Sequence, residues 1–377
     1  MLSINFHDYK TTLEQKYKEL QEKKEHITGY PSNQNFDYSV LTKFFEFALN
    51  NIGDASLQSN FNLNTHEFEN DVLSFIAKLY KKEANYWGYI TNGGTEGNLT
   101  GIHVARSYYP NGIIYYSSHS HYSVAKAIEL TRSKSECISV LKNGEINYDE
   151  LNNKIKENKD TPVIILANLG TTMTGAIDDL SKIKKILATH NITNYYIHCD
   201  AAFHGLILPF CNLENPIILD DFQSISVSGH KFIGSPIPCG VFLTHSDIIK
   251  KISHYIEYIK SGDCTLSGSR NGITPLILWC ALHQNSIDKF KELTQESLAK
   301  AKYARDKMLD NNIYAWTNPY SPIVIFNKPS DNIIKKWSIA PYQELAHIIT
   351  TPSLSIHTID LLIDDLIIDK ENTKEKL

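Results

Sequence analysis

The chain has 377 residues, 42% hydrophobic and 21% charged, with a formal net charge of -5. That supplies enough apolar material for a large core or two lobes, and an acidic balance with no dense Lys/Arg block argues against a nucleic-acid binder. Six cysteines without a Cys-x-x-Cys pair, an N-terminal stretch lacking the apolar core of a signal peptide, and no apolar run of membrane-spanning length predict a cytoplasmic protein with reduced thiols.

An amphipathic start (Leu13, Tyr17, Leu20) leads through Gly29-Tyr30-Pro31 to a second helical pattern, Leu41 to Leu49, which Gly53 ends. A third helix carries Phe68, Val72, Phe75, Ile76 and Leu79. Strand and helix signals then alternate. Tyr89-Ile90-Thr91 runs into a glycine turn and a helix through Leu99, Ile102 and Arg106, and short buried strands are predicted at 113–117, 137–140, 163–167, 195–199, 224–227 and 240–243. Helical stretches between several of them, such as Leu180 to Leu187, predict an α/β fold with a mostly parallel sheet flanked by helices. The stretch 240–269 is short and largely helical in pattern. After Gly272 one long helical region continues toward Met308, followed by strand-like pieces at 313–316 and 323–326 and by further helices, with a charged, frayed tail after Asp369. Three regions result: an N-terminal helical segment (1–55), a large ligand-binding domain (56–275), and a connecting helix with a smaller α+β domain (276–377).

Three motifs carry chemistry. Ser226-Val227-Ser228-Gly229-His230-Lys231 presents one lysine at a strand end, where partial desolvation would favour the free amine that a Schiff base requires. Read alone, it is an ordinary surface lysine. His198-Cys199-Asp200-Ala201-Ala202 places a carboxylate at the end of the preceding strand, which alone could cap a turn. Together, an amine and a carboxylate at adjacent strand ends are the two protein groups that pyridoxal phosphate needs. Asn92-Gly93-Gly94-Thr95-Glu96-Gly97-Asn98 opens a helix, and its glycines let backbone amides approach an anion; no P-loop lysine follows, and the spacing is wrong for a dinucleotide fingerprint. All three motifs fall at C-terminal strand ends, where open α/β sheets bind ligands.

Taken with His121-Tyr122-Ser123-Val124-Ala125-Lys126, Asn168-Leu169-Gly170-Thr171-Thr172 and Gly268-Ser269-Arg270-Asn271-Gly272, in this order, these segments resemble the group II pyridoxal-phosphate amino-acid decarboxylases over nearly the whole chain. The resemblance is to the branch of histidine decarboxylases of Gram-negative bacteria, and plant serine decarboxylases look similar. It implies fold type I (aspartate-aminotransferase-like), pyridoxal 5'-phosphate as cofactor, and decarboxylation of L-histidine to histamine through an external aldimine and a quinonoid, with serine as the second candidate substrate. Residue by residue, it makes Lys231 the Schiff-base lysine and Asp200 the partner of the pyridine nitrogen. Ala202 and His121 would lie on opposite faces of the ring, with His119 competing for the latter place. Gly94, Thr95, Ser228 and His230 would hold the phosphate, and Thr172 would stand near the phenolic oxygen. His121, Tyr30 and Ser321 would meet the substrate. The proton returned to Cα would come from His121, Tyr255 or Tyr258. A homodimer with a shared active site is implied, with Thr265, Ser267 and Gly268 as candidate contacts to the neighbouring subunit. From the residues alone, His119, His121, His198 and Asp200 also admit a metal-dependent hydrolase, in which Lys231 has no task, and a catalytically inactive scaffold is a third reading.

Overall fold

A computed structural model describes residues 9–57 and 60–374. Helix α1 (Tyr9–Lys24) is followed by a 3₁₀ segment at Ser39–Glu46, then α2 (His66–Leu79), β1 (Tyr86–Thr91), α3 (Gly94–Tyr108), β2 (Ile113–Ser117), α4 (Tyr122–Leu130) and β3 (Ser135–Ile138). Next come α5 (Tyr148–Glu157), β4 (Val163–Asn168), α6 (Leu180–Thr189), β5 (Tyr195–Asp200), β6 (Ser224–Ser228), β7 (Gly240–His245), α7 (Ser246–Ile249) and the ribbon β8 (His254–Ile256) and β9 (Ser261–Asp263). The chain ends with α8 (Ile273–Gln284), α9 (Ile287–Asp310), β10 (Ala315–Trp316), β11 (Ile323–Asn327), α10 (Asp331–Lys336), β12 (Ala340–Tyr342), β13 (Leu345–Ile349) and α11 (Ile356–Lys374).

Seven strands form one sheet in the order β1-β7-β6-β5-β4-β2-β3. From β3 to β6 all neighbours run parallel, and β7 pairs antiparallel with both β6 and β1. Period-2 alternation sends Ile164, Leu166 and Phe242 to the face covered by α3 and α4, and Ile165, Ala167, Val227 and Val241 to the face covered by α2, α5, α6 and α8. Both faces are dry, which is why these strands read as continuous apolar runs. The second sheet, β10-β11-β13-β12, packs its Val324, Phe326, Ala346 and Ile348 against α9 and α11 as a separate cluster. This fold is the expected α/β architecture.

α3 comes unusually near the large sheet. A Cβ on Gly97 would stand 2.0 Å from Ser226 Oγ, so only glycine lets the helix settle at this height over β6.

Five local expectations are corrected. The second helical pattern is 3₁₀ and stops at Glu46, well before Gly53. The segment 240–269 holds β7, one short helix and the β8–β9 ribbon, so it is mostly extended. The helix after Gly272 breaks at Asn285-Ser286, where Ser286 caps α9 by accepting from Lys289 N at 3.1 Å. β12 and β13 stand where helices were expected, and α11 continues to Lys374 instead of fraying after Asp369. The run Leu-Ala-His-Ile-Ile suits either element, and pairing with β11 decides it.

Candidate active site

The C-terminal ends of β4, β5 and β6, the turn after β1 and one face of the small sheet enclose a cavity of about 340 Å³. Ten of the residues singled out from sequence line it: Tyr30, Gly94, Thr95, His121, Thr172, Asp200, Ala202, Ser228, His230 and Lys231. They come from six separate stretches of chain, brought together by the parallel strand order.

Asp200 ends β5 in register with Ser226 of β6, and Lys231 follows β6 on a single π-helical turn, His230–Gly234. That turn is fastened by Asn33, whose backbone N–H donates to Lys231 O at 3.1 Å and whose side chain donates to Phe232 O and Ile233 O at 3.0 Å each. Withdrawal from water pulls the Lys231 pKa below the ordinary lysine value, against the opposing charge of Asp200. Both charges also act on His121, whose imidazole is pulled down mainly by burial. Amine, carboxylate and imidazole therefore share one electrostatic site. Asp200 accepts from Ala202 N (Oδ1, 3.1 Å) and from the Asn98 side chain (Oδ2, 2.6 Å), which holds its carboxylate in place.

At the other end of the cavity, α3 begins after Gly93, which takes φ +123° and offers no side chain to cap the helix. Glu96 in that first turn is engaged elsewhere, accepting from Tyr89 OH, Asn92 and Ser267. The buried Ser228 hydroxyl nearby has no hydrogen-bond partner, and His230 is oriented by Nδ1 against Cys239 O at 2.8 Å. An uncapped helix N-terminus beside an orphaned hydroxyl fits an anion, and the lysine and carboxylate beyond it fit the rest of a pyridoxal phosphate.

Other sequence candidates lie elsewhere. Ser321 does not line the cavity. It is buried one layer behind, its Oγ 3.1 Å from His204 Nε2, because the loop before β11 tucks it under the residues following Asp200. His119 also stays off the lining, packing edge-on against Tyr342, whereas His121 lines the cavity. Tyr255 and Tyr258 are exposed on the β8–β9 ribbon and do not reach the cavity. Of the three candidate intersubunit residues, Ser267 donates to Glu96 Oε1 at 3.2 Å, Thr265 donates to Asp263, and Gly268 has open space where a side chain would be. The metal-site grouping does not form: His198 has both ring nitrogens engaged, by Ser224 Oγ and Asn98 Oδ1, and among the described residues no cluster of three His, Cys, Asp or Glu is placed to hold a metal.

Sequence reasoning gave no role to Asn33, Asn98, His204 and His347, all at or against the cavity. Asn98 closes the glycine motif and His204 stands two residues beyond the aspartate motif, and neither side chain was read for a role. His347 and Ile349, two apart on β13, face the cavity together, a period-2 signal hidden in a segment read as helix.

Residues 103–327 match the family model described as the pyridoxal-dependent decarboxylase conserved domain. Similar curated proteins include the histidine decarboxylase of Morganella morganii, 45% identical over 346 residues that cover 90% of this chain and 92% of that protein. The histidine decarboxylase of Pseudomonas entomophila (strain L48) is 42% identical, covering 91% and 86%. Among solved structures, L-methionine decarboxylase from Streptomyces sp.590 superposes with a TM-score of 0.89 at 24% identity, covering 97% of this chain and 95% of that one. At that identity the likeness is one of fold.

Proposed function

The chain belongs to the pyridoxal-dependent decarboxylase family, and we propose that it converts L-histidine to histamine and CO2. Its cofactor is pyridoxal 5'-phosphate, which when bound supplies an aldehyde for the substrate amine and a protonated pyridine ring that accepts the electron pair left as CO2 departs. The observation that carries the reading is the convergence of Lys231 and Asp200 on one cavity.

Each residue then has a physical task. Burial increases the neutral fraction of the Lys231 amine, the form that condenses with an aldehyde. Asp200, its two oxygens already fixed by Ala202 and Asn98, keeps a proton on the pyridine nitrogen. Ala202, small enough to admit a planar ring, and the His121 imidazole would hold the ring between them. Gly94, Thr95, Ser228 and His230 would hold the phosphate, and Thr172 would serve the phenolic oxygen. His121 also meets the substrate and returns a proton to Cα. Tyr30 borders the substrate end, and Ser321 acts there through His204.

Histidine is favoured over serine by the 42–45% identity to proteins named histidine decarboxylase. Incubation with a panel of amino acids, scored for CO2 and amine, tests this. Histamine from histidine is expected, and consumption of serine with histidine ignored overturns the substrate while leaving the reaction class intact. Lys231→Ala should abolish turnover together with the visible absorption of the lysine-bound cofactor, and retained multiple turnovers would refute the lysine assignment.

The assembly we propose is a homodimer. α1 exposes Tyr9, Leu13, Tyr17 and Leu20 along one face, and Phe45 and Phe47 are exposed after it, an apolar surface that a second copy would cover. A monomeric mass by light scattering would refute it. The cytoplasmic location expected from sequence is part of the same proposal. Among the described residues no helix is long and apolar enough to cross a membrane, and the six cysteines are free thiols.

A further inference from the structure

From the cavity wall inward runs a buried chain of polar groups, of which the reaction scheme uses only the contact of Asn98 with Asp200. Ser224 Oγ is 2.8 Å from His198 Nδ1, His198 Nε2 is 3.1 Å from Asn98 Oδ1, and Asn98 Nδ2 reaches Asp200 Oδ2 at 2.6 Å and Ser123 Oγ at 3.5 Å. Ser123 Oγ in turn lies 2.8 Å from His121 Nδ1. One asparagine thus touches the supports of both residues placed against the cofactor ring.

The direction of every bond follows from one constraint. A carboxylate only accepts, so the Asn98 amide must turn its NH2 to Asp200 and its oxygen to His198. His198 must then carry its proton on Nε2 and accept the Ser224 hydroxyl at Nδ1. Burial supports this neutral state, since it pulls the His198 pKa down to about 4. On the other branch, His121 Nδ1 accepts from Ser123 N at 3.3 Å, which leaves it unprotonated and able to take the Ser123 O–H as well. Ser123 Oγ accepts the second Asn98 proton. The His121 proton is thereby placed on Nε2, away from this network.

We infer that Asn98 is a positioning residue that sets two groups of the site at once, orienting the Asp200 carboxylate with one N–H and, through Ser123, fixing the His121 tautomer with the other. This rests on the pyridoxal-phosphate reading above. The packing enforces it. A Cβ on Gly101, one turn along α3, would stand 2.4 Å from His198 Nδ1, so the helix is held against the β5 side chain that orients the amide. A merely structural asparagine, satisfying buried groups, would stabilise the fold and leave the cofactor's electronic state alone. The two roles are separable.

The test uses the full-length enzyme loaded with 15N-labelled pyridoxal phosphate, comparing wild type, Asn98→Ala, the near-isosteric apolar Asn98→Leu and Ser123→Ala. The NMR shift of the ring nitrogen is read beside kcat and KM. Both Asn98 variants are expected to move the ring-nitrogen resonance toward its unprotonated position and to lower kcat about 10- to 100-fold, with KM changing far less, the range for losing a hydrogen bond to a charged group. Ser123→Ala should lower kcat and leave the ring-nitrogen shift at the wild-type value. Wild-type shift and kcat in whichever Asn98 variant folds would overturn the inference, as would a Ser123→Ala shift equal to that of Asn98→Ala. If wild type itself holds no lysine-linked cofactor, the underlying reading fails first and is recognised by that loss.

Discussion

Arg270 is buried with its charge against Glu69, itself fully buried, on the path that ties the 268–272 segment to β1. Its Nη2 also donates to Gly53 O at 2.8 Å, and its guanidinium lies 5.3 Å from the centre of the Tyr89 ring. Glu69 accepts from Ile90 N at 2.8 Å and from Asn51 Nδ2 at 2.7 Å. Arg270→Met leaves a carboxylate with two neutral donors and no counter-charge in a dry site, a loss of about 3–5 kcal/mol. With an unfolding entropy of roughly 2.1 cal/mol/K per residue, a chain of this length changes by about 0.8 kcal/mol per degree, so the melting temperature should fall by about 4–6 °C. Glu69→Gln in wild type should also destabilise, because it strands the guanidinium. Placed on the Arg270→Met background, the same change should raise stability, because it removes the stranded charge while keeping an acceptor for Ile90. Calorimetry of the four cofactor-saturated proteins decides the matter. A melting temperature for Arg270→Met within about 1 °C of wild type, or a Glu69→Gln effect of the same sign in both backgrounds, would refute the reasoning.

The other predictions concern acid and close packing. Burial lowers the pKa of His198, His204 and His347 to about 4, about 3 and about 4, below the ordinary histidine value of about 6.5. As pH falls from about 6.5 toward 4 the unfolded chain takes up these protons first, so stability is full above that window and declines within it. The buried Asp178 carboxyl, raised to about 6, works in the opposite sense between about 4 and 6, one group against three. Urea midpoints at pH 7 and pH 5 should therefore differ in favour of pH 7, and equal or reversed midpoints would contradict the burial of neutral imidazoles. Gly97→Ala drives a Cβ to 2.0 Å from Ser226 Oγ and 2.8 Å from its Cβ, and should lose about 1–3 kcal/mol while weakening cofactor retention. Stability at or above wild type, as helix propensity alone would give, would show that α3 can lift from the sheet without penalty.

The large sheet was legible because its strands are buried on both faces: Val163 to Ala167 reads as an unbroken apolar run and Tyr195 to Cys199 as one interrupted only by His198, and the motifs at their ends mark where chain reversals bring polar groups together. β12 and β13 were not legible. Their apolar residues satisfy either period, and only pairing selects the extended form, β13 against β11 and β12 against β13. The same division holds in the site. Lys231 and Asp200 announce themselves by chemistry, whereas Asn98, His198 and Ser123 are ordinary buried polar residues until a fold places α3 over β5. Ser321 shows the limit in the other direction: expected to meet the substrate, it sits behind His204, since sequence cannot say which of two residues stands in front.

The reversed strand β7 has a consequence for synthesis. Thr91, at the root of the glycine turn, is held beside Gly240, and among the described residues β1 has no other partner in its sheet. A nascent chain emerging from the ribosome would therefore expose its glycine turn long before the strand that anchors it exists, and such distant pairing is slow to form. The vitamin-derived group can be gripped only after His245 has cleared the exit tunnel, which makes loading with cofactor a late event in the life of each molecule.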